Sequence, residues 1–149
     1  MSLRLLGVTS IVLVVGMNAG HSLAQMPVIS LSSGIHLIRA EAAFTFETRQ
    51  TGLMFREALG VNEGMLFVFP QTERHCMWMK NTLIPLAVAF MDEKGKIVSI
   101  SEMRPRTENS HCAAAPAKYA LEMNTSWFAK RGIKAGAVIG GLDKVPDAR

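Results

Sequence analysis

The sequence predicts a strand-rich α+β domain: a compact antiparallel sheet or small β-barrel carrying two short helices. Apolar runs of strand length recur at residues 64–69 (GMLFVF), 86–91 (LAVAFM) and 96–101 (KIVSIS), each bounded by turn residues. Residues 44–48 (FTFET) and 119–123 (YALEM) alternate apolar with polar, the period of a half-buried strand. Helical signals are confined to residues 49–56 and 126–131. Short strands with so little helix fit an antiparallel sheet or a closed small barrel.

The chain opens with delivery signals. Arg4 precedes an apolar stretch over residues 5–17, and Ser22 and Ala24 place small residues at −3 and −1 before Gln25. That pattern is a signal peptide over residues 1–24, too short in its apolar part to span a bilayer. A periplasmic or secreted location is therefore expected, with no membrane span after cleavage. Residues 25–34, with Pro27 and a serine-rich patch, read as a mobile leader. The globular domain is expected over 35–142 and a polar tail over 143–149.

Within the domain, residues 35–39 suit a short strand. Residues 64–69 are apolar on both faces, which marks a central strand, and Pro70 is expected to end it because it cannot donate to a ladder. Residues 76–80 (CMWMK) suit a second strand, with Cys76, Trp78 and Lys80 on one face and Met77, Met79 and Asn81 on the other. Asp92 and Gly95 supply turn chemistry between two strands of a hairpin. Residues 103–116 form the longest loop. In residues 119–123, Tyr119, Leu121 and Met123 should point inward, Ala120 and Glu122 outward. Asn124 or Thr125 suits a cap for the helix at 126–131, and Gly132 its end. Residues 137–139 suit a last short strand.

Lys and Arg number 16 against 12 Asp and Glu, for a formal charge of +4. The charges are scattered rather than clustered, so no nucleic-acid footprint is expected. A monomer without a cofactor is the simplest reading. Cys76 and Cys112, an even pair in an exported chain, suggest a disulfide. Each follows a histidine, so His75, Cys76, His111 and Cys112 form an alternative metal set. Against it stand the missing Cys-x-x-Cys spacing and the opposite directions of adjacent strand residues. A reversible redox pair is a third reading.

Residues 52–56 (GLMFR), 63–69 (EGMLFVF) and 78–82 (WMKNT), followed by Pro85, resemble domain-of-unknown-function family 192. Residues 116–119 (PAKY), Leu121 and Glu122, Trp127 and the turn from Gly132 to Gly136 match its C-terminal half. The resemblance covers about residues 36–142 and implies a compact, strand-rich domain, often exported in bacteria. It implies no activity and carries over no catalytic or ligand residue. Cys76 stands where many relatives have Phe.

The polar string at residues 78–82 interrupts an apolar element. Its plain explanation is strand termination, with Trp78 in the core, Lys80 snorkelling, and Asn81 and Thr82 bonded to local backbone. The functional explanation is a binding surface of Trp78, Lys80, Asn81 and Thr82, joined by Arg56 and Glu122. A stacking aromatic beside Lys and Asn suits a sugar ring or an anionic envelope component. Non-catalytic binding of a small envelope-related ligand or a protein partner, through this string and the 103–116 loop, is the leading expectation. A hydrolase-like cleft joining Lys80 to Glu122 is the alternative, and metal or redox handling by the His-Cys pairs a further one.

Overall fold

The computed structural model describes residues 25–149. The signal-peptide reading of residues 1–24 lies outside the described residues. Six strands form one sheet: β1 (Val28–Ser33), β2 (His36–Ala43), β3 (Glu63–Glu73), β5 (Leu86–Met91), β6 (Ile97–Met103) and β8 (Ala117–Asn124). Two short strands, β4 (Cys76–Met77) and β7 (His111–Cys112), pair in a separate ribbon. The helices are α1 (Phe46–Thr51) and α2 (Trp127–Lys130), and Leu142–Lys144 makes one 3-10 turn.

The strand-rich α+β expectation holds, with two refinements. The sheet order is β1-β2-β3-β8-β5-β6, an open sheet rather than a barrel. It is mixed, because β2 and β3 run parallel while the other pairs are antiparallel. A parallel pair needs a crossover, and residues 44–62, including α1, make it.

Residues 25–34 are not a loose leader. Their serines conceal an alternation in which Ile29, Leu31 and Ser33 are buried, and β1 pairs with β2 across a turn at Gly34. Residues 44–48 are not a strand. Thr45 caps α1 in a reciprocal box: the Thr48 N–H donates to Thr45 Oγ1 at 3.2 Å, and the Thr45 N–H donates to Thr48 Oγ1 at 3.0 Å. Local side-chain bonding here outweighs the period-2 pattern. β3 continues past Pro70 to Glu73, with its ladder to β8 irregular between Val68 and Glu73. The strand expected at 76–80 has only Cys76 and Met77 in a ladder.

The hairpin β5–β6 closes at Gly95, which has a φ of +78°, and the Asp92 carboxylate accepts from the Lys94 and Lys96 N–H groups. The expected strand at 137–139 reduces to single bridges, Lys96 to Val138 and Ser32 to Gly140. Ser126, not Asn124 or Thr125, stands at the start of α2, and Gly132 follows its end at a φ of +66°. The polar tail is docked. Val145 and Ala148 pack on the core, and the Arg149 N–H donates to the Phe44 carbonyl at 2.8 Å.

Both sheet faces are covered. On one, Leu66, Val68, Ala87, Ala89, Leu121 and Met123 lie under Trp127, Phe128, Ile133 and Ile139. On the other, Met65, Phe67, Val88, Phe90 and Ala120 lie under Leu53, Met79, Met103 and Ala113. This second layer is built from the crossover and residues 76–85 and 103–116, and it carries the candidate site.

Where β3 meets β8, Gly64 is paired with Met123. A Cβ on Gly64 would collide with the Glu122 carbonyl and the Met123 sulfur. The carbonyl belongs to the sheet backbone and cannot yield. Gly64→Ala is expected to lower unfolding stability by about 2 kcal/mol or more, read from urea denaturation; a change within a few tenths would show that the β3–β8 approach is not tight.

Candidate functional site

The crossover and the stretch from β4 to Asn81 face each other across an open groove of about 590 Å³. One wall is α1 and the turn behind it, with Phe46, Arg49, Met54 and Phe55; the other is Met77, Trp78, Lys80 and Asn81. Phe67 and Phe69 of β3 also line it. Three large aromatic side chains on the walls stay open to solvent: Phe46 at 60%, Phe55 at 67% and Trp78 at 47%. Arg49 and Lys80 are the charged groups of this lining, and no carboxylate is among it.

The groove rim is held in an unfavourable backbone conformation. Phe55 has a φ of +62° and Asn81 a φ of +59°. A bulky residue such as Phe is rare in that region, whereas Asn tolerates it. The Phe55 N–H donates to the Asn81 carbonyl at 2.9 Å, so one bond joins these two residues across the groove. The Thr82 N–H closes a turn on the Met79 carbonyl at 3.1 Å. The long loop braces this turn from behind: the Met79 N–H donates to the Thr107 carbonyl at 3.0 Å, and the Arg106 N–H to the Thr82 carbonyl at 3.0 Å. Backbone strain held by surrounding bonds in this way concentrates at functional sites.

Trp78 is not in the core, which sets aside the plain reading of that residue; its ring faces the groove with the Lys80 ammonium 5.2 Å from its centroid. Met79 is the fully buried member of the string. Arg49, which the sequence reading missed, pins α1 to β3 beneath it. Its guanidinium donates to the Phe44 carbonyl at 2.7 Å and to the Val68 carbonyl at 3.1 Å.

Below the groove lies a niche of about 30 Å³, room for one or two water-sized groups. Groove and niche share Arg49, Gln50, Thr51, Met54, Phe67, Met77 and Trp78, and the niche adds Gly52, Leu53, Thr82 and Glu122. Glu122 does not point outward to solvent as its alternation suggested. It is 3% exposed, flanked in the sheet by Met65 of β3 and Val88 of β5, both fully buried. Both faces of β8 are covered, so the polar position of the alternation has no solvent side. Burial alone pushes the Glu122 carboxyl up to about 8, and no hydrogen bond contributes. The carboxyl keeps a residual opening onto the niche, so no buried side-chain oxygen or nitrogen is sealed away without a partner among the described residues.

The structure therefore brings Trp78, Lys80 and Asn81 to the groove and Trp78, Thr82 and Glu122 to the niche beneath it. Arg56 is elsewhere, its guanidinium 2.7 Å from the Glu41 carboxylate. Lys80 does not line the niche, so it and Glu122 occupy adjoining spaces rather than one cleft. The loop after β6 does not line the groove. Its residues Arg104, Thr107 and Asn109 line a separate hollow of about 290 Å³ with Glu102 and His111.

Cys76 and Cys112 are paired directly across the β4–β7 ribbon and joined as a disulfide, S–S 2.01 Å. The alternative metal set thereby loses both thiolates. His75 stacks on Phe69 at 3.7 Å between ring centroids, and its Nε2 lies 2.9 Å from the Gln71 carbonyl oxygen.

Over residues 28–141 the chain matches the model of the DUF192 family, described as "Uncharacterized ACR". The chain belongs to the DUF192 family. Two solved structures share the fold seen here. One is a protein of unknown function from Novosphingobium aromaticivorans DSM 12444, with 31% identity and a TM-score of 0.75 over 90% of this chain and 99% of that one. The other is a candidate transcription regulator from Sinorhizobium meliloti 1021, with 31% identity and a TM-score of 0.72 over 77% of this chain and 92% of that one. No curated protein matches this DUF192 chain.

The state of Glu122 sets a pH dependence. Its carboxyl ionises ordinarily at 4.5 and in the folded chain at about 8. Below 4.5 it is neutral both folded and unfolded. Between those values only the folded chain keeps the proton, so stability falls as pH rises and the full penalty is present above about 8. At 1.36 kcal/mol per pH unit the span is on the order of 5 kcal/mol. Glu122→Leu, which has nothing to ionise, is expected to gain several kcal/mol over the parent on moving from pH 5 to pH 9; an equal difference at both pH values in urea unfolding would refute the buried acid.

Proposed function

We propose that this protein is an exported, non-catalytic binding domain whose groove takes a small ligand with a flat apolar body and an anionic group. The observation that carries this reading is the convergence of exposed Phe46, Phe55 and Trp78 on one groove whose charged lining is Arg49 and Lys80. Aromatic faces provide contact area at low conformational cost, and the two cations favour an anion within reach of a low-dielectric wall. The strained Phe55 supports the same reading, because a glycine there would relieve the backbone and remove the ring. The hydrolase-like alternative is weaker, since Lys80 and Glu122 do not line one space.

1-Anilinonaphthalene-8-sulfonate, an aromatic anion, is a suitable probe. Trp78→Ala is expected to weaken its binding at least fivefold, and Lys80→Ala to weaken it most at low salt. Phe55→Gly is expected to weaken binding with no loss of unfolding stability. Unchanged affinity in all three folded variants overturns the groove as the binding site.

Export is supported by the leader pattern at residues 1–24 and by the Cys76–Cys112 disulfide, a bond that persists in oxidising compartments. Intact mass of the periplasmic fraction, alkylated without reductant, should begin at Gln25, carry no adduct and be two hydrogens light. A chain retaining residues 1–24 with two alkylated thiols would place the protein on the reducing side.

A further inference from the structure

The niche poses a question that the groove alone does not answer. A groove for a flat ligand needs no buried acid, yet β8 places one beneath it. Glu122 is flanked by Met65 and Val88 and covered by the layer containing Leu53 and Thr82. The neighbouring elements offer it no carboxylate, histidine or lysine among the niche lining: β3 contributes Phe67, β4 and the segment after it contribute Met77, Trp78 and Thr82, and α1 contributes Gln50, Thr51 and Arg49, the last being the single charged group beside it. That guanidinium is already engaged by the carbonyls of Phe44 and Val68. The carboxyl is thus more than nine-tenths buried, without a hydrogen-bonding partner among the described residues, and open to a space that joins the groove floor.

We propose that the niche is an acceptor subsite of the groove: a single carbonyl or carboxylate oxygen of the bound ligand enters it and receives a hydrogen bond from the protonated Glu122 carboxyl. This rests on the groove being the ligand site. A neutral carboxylic acid has one O–H to donate, whereas a carboxylate only accepts. A buried donor facing an acceptor discriminates strongly, because a ligand without that acceptor leaves the donor unpaired. The niche is small, about 30 Å³, which favours the edge of a planar carboxyl or amide group over a bulkier tetrahedral sulfonate. The ligand class is therefore an aromatic or similarly flat acyl compound, an acid or an amide, inserted carbonyl first.

Two probes of equal charge and similar body separate this subsite from the groove itself: 2-naphthoate and naphthalene-2-sulfonate, titrated calorimetrically at pH 6.5 and pH 9.5. The full-length mature protein is expected to prefer the naphthoate at least tenfold at pH 6.5 and to lose that preference at pH 9.5, where Glu122 is ionised and repels it. Glu122→Gln, which keeps an N–H donor without a titrating proton, should retain the preference at both pH values. Glu122→Leu should lose it at both, while Trp78→Ala weakens both probes alike. Equal, Trp78-dependent binding of the two probes at pH 6.5 would leave the groove standing and overturn the subsite. A preference that survives in Glu122→Leu also overturns it. Absence of binding by either probe removes the groove reading and the subsite together.

Discussion

Burial of the middle stretches of three central strands governs this molecule. β3, β8 and β5 lie side by side with a hydrophobic layer on each face, so over Gly64–Phe69, Ala120–Met123 and Leu86–Met91 their side chains have no default route to water. Every other element follows from covering those faces. The C-terminal segment with Trp127, Phe128 and Ile139 lies over one; the crossover, the β4–β7 ribbon and the long loop lie over the other. A polar residue in these strands must be paired, neutral or functional. Glu122 has no hydrogen-bonding partner among the described residues, which makes it the most informative of them.

The second cover is also where irregular backbone gathers. Parallel pairing of β2 with β3 forces a connection across that face, and the connection supplies α1, Gly52 and the strained Phe55. Gly52 lets the turn lie close to β3, since a Cβ there would come within 3.1 Å of the Phe67 ring. The opposite wall depends on bonds from the loop at 106–107 and on the disulfide that anchors β4 to β7. Rigid strands thus carry the floor, and short, well-bonded turns carry the rim.

Much of the fold was legible because local chemistry and tertiary demand agreed. The β5–β6 hairpin and the buried β3 followed from run length and turn residues, and the disulfide from an even cysteine pair in a chain with a leader pattern. Legibility failed where neighbours, not the segment itself, decide. Serines hid β1, since only pairing with β2 turns Ile29 and Leu31 inward. The Thr45–Thr48 box turned a strand-like alternation into a helix start. Glu122 was assigned to the solvent side because alternation cannot report that a second layer covers that side. Among the groove residues, Trp78, Lys80 and Asn81 stood out as a polar string in an apolar run. Phe46, Arg49 and Phe55 gave no such signal, as their role comes from a crossover that sequence spacing does not reveal; Arg56, chosen in their place, faces Glu41.

The strand order has a consequence for how the chain reaches this state. β8 is the last long strand to emerge, yet it sits between β3 and β5 and pairs with both along nearly its whole length. Until it arrives, the earlier hairpin with β3 and the later hairpin of β5 and β6 are separate pieces, each with an unpaired apolar edge. Such edges are adhesive toward other chains, and closing them requires contacts between residues far apart in sequence, which slows folding. A chain threaded across a membrane N-terminus first would therefore hold two half-sheets in suspense until nearly all of it had crossed, with β8 as the keystone that joins them and closes the floor of the groove in the same step.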